Sequence, residues 1–311
     1  DDLVEKIKQA GIAICAISID GVKETHDKIR KEGSFEKDLL ALKKLKYHGV
    51  QTMVATTINN ENIEELDEMY DIFSEIGVDF WQLQITLPMG NFLKQQTLFV
   101  EPGMIEQIIE FANKKKEGLL EIHLTDGIGY YNKKQICMQQ NTCWAGCSAG
   151  KKSVGILQNG DIVGCTSIRN EKMIEGNIRD GSLRDIWFSK DSFLWNRNFK
   201  RDDLKGLCRE CKYGDMCLGG CSNSRFTLNG TIESENILCS YNYKLVQARK
   251  YINKLDEEQL LQLFTILIEK NEYQIAKMVY DRIKNINGNH VIEMCEKYLQ
   301  VNTDCKENNN E

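Results

Sequence analysis

A chain of 311 residues, 41% apolar and 28% charged, is long enough for two domains at roughly 150 residues each and can bury a sizeable core. Its 40 basic against 46 acidic residues leave a net charge of -6, which excludes a dominant non-specific nucleic-acid binder. No apolar run approaches the ~18 residues of a membrane span and no leader is visible, so a cytoplasmic protein with no membrane and no nucleic-acid partner is expected.

The chain opens on Asp1-Asp2 within a helical pattern carrying Leu3, Val4, Ile7 and Ala10 and ending at Gly11. The near-continuous apolar run Ile12 to Asp20, stopped by Gly21, predicts a strand buried on both faces. Ser34 is placed to cap a helix running to His48, with Leu39, Leu42 and Leu45 inward and Gly49 as its stop. Val50 to Ile58 predicts the next strand. Asn62 and Glu65 predict a capping box for a helix through Ile76, and Phe80 to Leu87 a third strand. A further helix is expected from Met104 to Lys116. Alternating βα units imply parallel strands with helical crossovers. Sites in such assemblies lie at the C-terminal strand ends, here Ser18-Ile19-Asp20-Gly21, Thr57-Ile58-Asn59 and Thr86-Leu87-Pro88.

From residue 137 to 245 the chain becomes rich in Cys and Gly. Val154 to Cys165 reads as a hairpin turning at Asn159-Gly160, and Gly176 to Trp187 as a turn into a short helix. Residues 246–311 read as a helical tail. Asp256 with Gln259 forms a capping box, Asn271 caps a second helix, and Val291 to Leu299 forms a third. The leucine stripe of this tail is read as core.

Nine of the 12 cysteines lie between Cys137 and Cys239, and Cys15, Cys295 and Cys305 are scattered bystanders. Clustering within one segment of a leaderless chain favours metal or iron–sulfur ligation over disulfides. The spacing is Cys147-x(12)-Gly160-x(4)-Cys165, then Cys208-x(2)-Cys211-x(5)-Cys217-x(3)-Cys221, then Cys239, with Cys143 four residues before Cys147. A zinc ribbon needs two C-x(2)-C knuckles; here there is one, and a single zinc at 208–221 leaves Cys143, Cys147, Cys165 and Cys239 unexplained. Two four-iron clusters need eight thiolates, and Cys143 with the seven above supplies them.

This segment resembles the SPASM domain that follows the barrel in many radical S-adenosylmethionine (SAM) enzymes. Cys147, Gly160, Cys165, Cys208, Cys211, Cys217, Cys221 and Cys239 match that family's pattern one for one. Gly176-Asn177-Ile178, Leu183 to Trp187 and Gly219-Gly220-Cys221 match its accompanying strings. The resemblance implies one auxiliary [4Fe–4S] cluster on Cys147, Cys165, Cys221 and an upstream cysteine, Cys143 or alternatively Cys137. A second cluster falls on Cys208, Cys211, Cys217 and Cys239. Because the ligands interleave, neither cluster is expected to fold alone.

The βα portion resembles the second half of the radical SAM barrel. The resemblance implies an α/β fold: the C-terminal half of a partial (β/α)6 barrel over 1–130, a small Cys-rich α+β SPASM domain over 137–245, and the helical extension. It also implies that Ser18 contacts the ribose or amino-acid part of SAM and that Arg30 holds its carboxylate. Asp20 assists or orients the loop, His26 anchors it, and the backbone at Leu87 packs on the adenine. A carboxylate suits a guanidinium fork.

The family's first cluster needs C-x(3)-C-x(2)-C, which is absent here: Gly150 and Ser224 stand where a third ligand would fall. The expectation is that about a hundred upstream residues carry this third cluster and that the fragment alone is inactive. The implied function is radical modification of a peptide or protein, a cross-link or thioether, through a 5′-deoxyadenosyl radical, with flavodoxin or ferredoxin as reductant. A sulfatase-maturase-like enzyme is a second reading, although Thr166 replaces the Asp that those enzymes carry after the second SPASM cysteine. A non-catalytic iron–sulfur scaffold or electron-transfer partner is a third.

Overall fold

The computed structural model describes residues 2–95, 98–125, 128 and 146–286. They form two compact units, 1–240 and 241–311.

The first unit is built on a four-stranded sheet of β1 (Ile14–Ser18), β2 (Gln51–Ile58), β3 (Phe80–Ile85) and β4 (Glu121–Leu124). The order is β1-β2-β3-β4 and every pair is parallel. Helix α1 (Asp2–Gln9) precedes β1, and α2 (Lys23–Ile29), α3 (Ser34–Tyr47), α4 (Leu66–Ile76) and α5 (Met104–Lys115) make the connections. β4 exceeds the three strands expected. Glu121-Ile122-His123-Leu124 is too short and too polar to register as a buried strand, and pairing with β3 supplies what its composition lacks.

The alternation along β2 and β3 divides the sheet into two faces. Val54, Ile58, Trp81, Leu83 and Ile85 point into a core with Leu42, Met69, Phe73, Ile105, Ile108 and Ile109 from the helices. The Trp81 indole N–H donates to Thr56 Oγ1 at 2.8 Å, and Thr56 Oγ1 donates to the Ile19 carbonyl at 2.6 Å, so this core leaves neither polar group unpaired. The opposite face carries Met53, Ala55, Thr57, Phe80, Gln82 and Gln84, all half-buried.

Three expected caps are corrected. Gly33, at φ 71°, is the residue that enters α3, and the Ser34 hydroxyl donates back to the Lys31 carbonyl. Asn62 and Glu65 form no capping box, because both side chains are drawn into the loop after β1. Asn271 lies in the left-handed region at the end of the preceding helix, its N–H on the Ile268 carbonyl, and does not start the next one. In each case a tertiary partner or a backbone turn claims the side chain that local spacing assigned to a helix end.

The cysteine-rich part contains an antiparallel sheet of β5 (Gly155–Ile156), β6 (Asp161–Val163) and β7 (Ile174–Asn177). The turn between β5 and β6 closes through Gly160 at φ 90°, its N–H on the Leu157 carbonyl at 2.8 Å. Gly176 and Asn177, expected within a turn, close the third strand of this sheet, Ile174–Asn177. Ser182 then caps the helix Leu183–Phe188 by accepting from Arg184 N–H at 3.1 Å.

The second unit contains the helices Glu257–Glu269 and Tyr273–Ile286. The Asp256–Gln259 capping box is present, and Leu260, Phe264, Leu267, Ala276, Val279, Tyr280 and Ile283 are buried together as its core. The third helix expected at 291–299 lies outside the described residues. Among the described residues no helix is long and apolar enough to cross a membrane.

Candidate functional site

The C-terminal ends of β1 and β2 meet at Asp20, which is 2% exposed. Its Oδ1 accepts from Thr57 N–H at 2.7 Å and its Oδ2 from Arg30 Nε at 2.6 Å. Its backbone N–H donates to His26 Nδ1 at 3.1 Å, and its carbonyl accepts from Asn62 Nδ2 at 2.9 Å. One acid therefore joins β1, β2, α2 and the turn before α4. Glu65, which the sequence reading used as a cap, instead accepts from Val22 N–H at 2.9 Å. Gly21 has φ 152°, and a Cβ there would come within 2.8 Å of Glu65 Oε2 and Thr25, so only glycine passes this corner.

His26 is fully buried, and burial pushes its pKa below the ordinary imidazole value against the opposing field of Asp38. Nδ1 accepts a hydrogen bond from the Asp20 N–H, so the neutral ring carries its own proton on Nε2, which faces Asp38 at 3.3 Å. A depressed imidazole pKa contributes stability that is complete above the unfolded value, about 6.5, and is lost as pH falls toward the folded value. We expect the midpoint of thermal unfolding to fall between pH 7.5 and 5.5, and His26→Gln to flatten part of that fall. Equal slopes for the two proteins would remove His26 from the account. Asp27, by contrast, stays ionised: the Phe35 N–H at 2.9 Å and Lys23 Nζ at 3.0 Å hold its carboxyl well below the usual range.

Of the residues expected to hold SAM, Ser18 ends β1 and is half-buried. Arg30 follows α2 with 40% of its side chain exposed. Its Nε is committed to Asp20, and among the described residues its two Nη groups have no partner, which leaves the end-on edge of the fork available. Leu87 is buried two residues beyond β3, and its carbonyl accepts from Met89 N–H at 2.7 Å. On the open face of the sheet Gln82 Nε2 donates to Gln84 Oε1 at 3.5 Å, and Gln84 Nε2 donates to Thr57 Oγ1 at 3.0 Å. Ser18, Ala55, Gln82 and His123 share one register row there. The amide ladder was not singled out from sequence, because its period-2 signal shows only once the strands are paired.

The second group of residues is cysteine. Cys15, Cys147, Cys165, Cys208, Cys211, Cys217, Cys221 and Cys239 are held as thiols; Cys137, Cys143, Cys295 and Cys305 lie outside the described residues. Burial pushes the Cys217 thiol strongly up, and Cys239, Cys208 and Cys211 push it the same way. Burial also raises Cys211, against the Tyr213 N–H that reaches its Sγ at 3.4 Å. Asn236 N–H reaches Cys208 Sγ at 3.3 Å. Cys208, Cys211, Cys217 and Cys239 thus lie within electrostatic reach of one another, with backbone N–H groups aimed at two of the sulfurs.

Cys147 is brought to the same region by two glycines. A Cβ on Gly146 would lie 3.1 Å from Leu218, and one on Gly164 would lie 3.4 Å from Gly150 N. These contacts set the Cys147 loop against the Cys217–Cys221 turn on one side and Gly164, between β6 and Cys165, on the other. Asn196 Nδ2 donates to the Cys147 and Ala149 carbonyls at 2.9 and 2.6 Å and holds the loop in place. Gly150 has φ 69°, and a Cβ there would meet the fully buried Phe193 at 2.4 Å. Gly150→Ala is therefore expected to cost about 3 kcal/mol in chemical unfolding, combining left-handed strain with overpacking.

Among the described residues no three His, Cys, Asp or Glu side chains converge on a single-ion position. A tetrahedral zinc needs sulfurs about 3.8 Å apart, set by Zn–S bonds of about 2.3 Å. A four-iron cluster takes one thiolate per iron and holds them further apart, and a buried, mutually sensing thiol set with inward N–H donors fits such a group.

A profile of the SPASM family, an iron-sulfur cluster-binding domain, matches residues 147–212. The AdoMet-dependent heme synthase of Oleidesulfovibrio alaskensis is 25% identical over 252 residues, covering 76% of this chain and 63% of that protein. The serine-type anaerobic sulfatase-maturating enzyme of Bacteroides thetaiotaomicron is 24% identical over 255 residues, covering 75% and 61%. The anSMEcpe structure with bound AdoMet and Cp18Cys peptide superposes with a TM-score of 0.57 at 18% identity, over 78% of this chain and 69% of that one. Streptococcus suis SuiB bound to precursor peptide SuiA gives 0.51 at 14% identity, over 72% and 52%. The chain spans less than two thirds of the length of either curated relative.

The parallel α/β sheet is thus followed by a cysteine-rich antiparallel domain of the iron–sulfur cluster-binding class. Residues 147–212 form a SPASM iron–sulfur cluster-binding domain, and the chain is similar over 76% of its length to an AdoMet-dependent protein and shares its fold with an AdoMet-bound one.

Proposed function

We propose that this chain forms part of an enzyme that modifies a peptide or protein by radical chemistry, joining a cross-link or thioether. When bound, SAM would supply a 5′-deoxyadenosyl radical by one-electron reductive cleavage that releases methionine, the electron coming from the reductant through a cluster on upstream sequence, and that radical would take a hydrogen atom from the substrate. Arg30, aimed by Asp20, offers its two Nη groups to the SAM carboxylate. Ser18 presents a hydroxyl to its ribose or amino-acid portion, and the backbone at Leu87 packs on the adenine. Cys208, Cys211, Cys217 and Cys239 hold one auxiliary cluster; Cys147, Cys165, Cys221 and Cys143 hold the other. Flavodoxin or ferredoxin is the reductant, and the setting is cytoplasmic.

The observation that carries the substrate class is the open face of the sheet. Gln82, Gln84, Thr57 and Ser18 present neutral amide and hydroxyl groups in register, which suit the donors and acceptors of a peptide backbone. Two neighbours in fold hold peptides, Cp18Cys peptide in one and SuiA in the other. A sulfatase-maturase role is less well supported, because Thr166 packs its methyl group toward Gly155 where those enzymes carry an acid.

A second reading, a tetrapyrrole substrate, is favoured by the relative named as a heme synthase. The test uses the protein together with any in-frame upstream sequence carrying C-x(3)-C-x(2)-C. Under anaerobic conditions, 5′-deoxyadenosine release is followed with a peptide encoded next to the gene and, separately, with iron-coproporphyrin III. Stimulation by the peptide is expected. Stimulation by the porphyrin alone would replace this reading, and the absence of an upstream motif would favour a non-catalytic scaffold.

A further inference from the structure

The cysteine-rich domain buries one residue that composition, spacing and family resemblance all left unassigned. Arg225 lies on the helix Ser222–Asn229 and is 1% exposed. Its Nη1 donates to the Ile232 carbonyl, its Nη2 to Ser222 Oγ at 3.3 Å, and its guanidinium stacks 5.0 Å from the Phe199 ring centre. The Nε–H is buried and has no hydrogen-bond partner among the described residues. It lies 3.0 Å from where a Cβ of Gly219 would be, so glycine in the Cys217–Cys221 turn is what lets the side chain lie there.

None of these contacts is to a carboxylate. A guanidinium keeps its charge in proteins, and a buried cation without an anion is costly. Burial lowers the Arg225 pKa, and Cys208, Cys147, Cys221 and Cys217 each oppose that effect. Two of those thiols belong to each proposed ligand set. A [4Fe–4S] cluster in its oxidised resting form with four thiolates is a net dianion, so the missing countercharge would come from the clusters themselves.

We propose that Arg225 is a charge partner shared by the two auxiliary clusters, its unpartnered Nε–H facing their sulfur and its charge raising the reduction potential of both. The direction follows because reduction adds negative charge beside a fixed cation. The proposal rests on the two ligand sets given above.

The test is iron content and EPR-monitored redox titration of the anaerobically reconstituted protein, with Arg225→Gln and Arg225→Lys. The Gln variant is expected to keep its iron while both couples move to lower potential. A tenfold weaker reduction equilibrium is expected for each, about 59 mV for a one-electron couple. The Lys variant, which keeps the charge, is expected to move less than half as far. Unchanged potentials in the iron-replete Gln variant, or equal shifts in both variants, would overturn the charge role. Movement of one couple alone would overturn the sharing. If the Gln variant loses iron, retention of iron at unchanged potential in the Lys variant supports the proposal, and loss in both overturns it. Wild-type protein that takes up no iron would instead overturn the ligand sets, and Arg225 with them.

Discussion

Anaerobic reconstitution is expected to load about eight iron atoms per chain, two four-iron clusters, and Cys217→Ala to reduce that to about four or fewer. Cys217 carries this weight because its thiol lies among Cys239, Cys208 and Cys211, where burial dominates its environment. A thiol so placed ligates only after losing its proton, so cluster binding expels protons and strengthens as pH rises. Loading is accordingly expected to be better at pH 8.5 than at 6.5.

The same turn governs the other cluster. Leu218, Gly219 and Gly220 all have positive φ, at 51°, 74° and 70°, and this run of left-handed residues carries the chain from Cys217 to Cys221. If Cys221 is a ligand of the first cluster, as proposed, Cys221→Ala would remove it and loosen the turn that positions the second set, so it is expected to lose more iron than Cys165→Ala. Cys15 lies on β1 and packs beside the small cluster of Val4, Leu45 and Val50; Cys15→Ala is expected to leave iron unchanged. Iron and sulfide analysis checks the wild type and all four variants. Stoichiometric zinc without iron in the wild type would sink the assignment.

Asp20→Ala and Arg30→Ala are expected to separate stability from SAM binding. Asp20 is buried and accepts from a backbone N–H and a guanidinium on different elements. Its removal leaves Thr57 N–H without its partner and is expected to cost about 2–3 kcal/mol in urea unfolding, the penalty for an unsatisfied buried donor. Arg30 is 40% exposed, so losing it is expected to cost under about 1 kcal/mol of stability. If its Nη groups hold the SAM carboxylate, Arg30→Ala weakens SAM binding at least tenfold, about 1.4 kcal/mol, by equilibrium dialysis with the intact enzyme. Asp20→Asn, which keeps the shape but not the charge, is expected to weaken binding with little loss of stability. Unaltered SAM affinity in Arg30→Ala would remove that residue from the cofactor site.

Much of this molecule was legible in one dimension because its determinants are local or periodic. The strand runs at β1, β2 and β3, the turn at Asn159-Gly160, the short helix through Trp187 and the Asp256–Gln259 capping box each depend on residues a few positions apart. The cysteine spacing is a further local code, since C-x(2)-C and C-x(3)-C turns bring sulfurs together whatever surrounds them. What failed was also instructive. β4 was missed because four residues of mixed polarity become a strand only when β3 offers its hydrogen bonds. The Asn62–Glu65 capping box was wrong because those side chains find stronger use 42 and 43 residues away, at the Asp20 carbonyl and the Val22 N–H.

The sequence by itself determined the class of chemistry: which thiols are present, how they are spaced, and that βα units precede them. Only the tertiary structure decided which groups act together. The pairing of Asp20 with Arg30, the neutral tautomer of His26, the register of Gln82 and Gln84, and the burial of Arg225 beside four thiols all depend on residues that meet through the fold. The physical reason is that ligand spacing is a short-range property of a chain, whereas desolvation and field are set by whatever packs around a group.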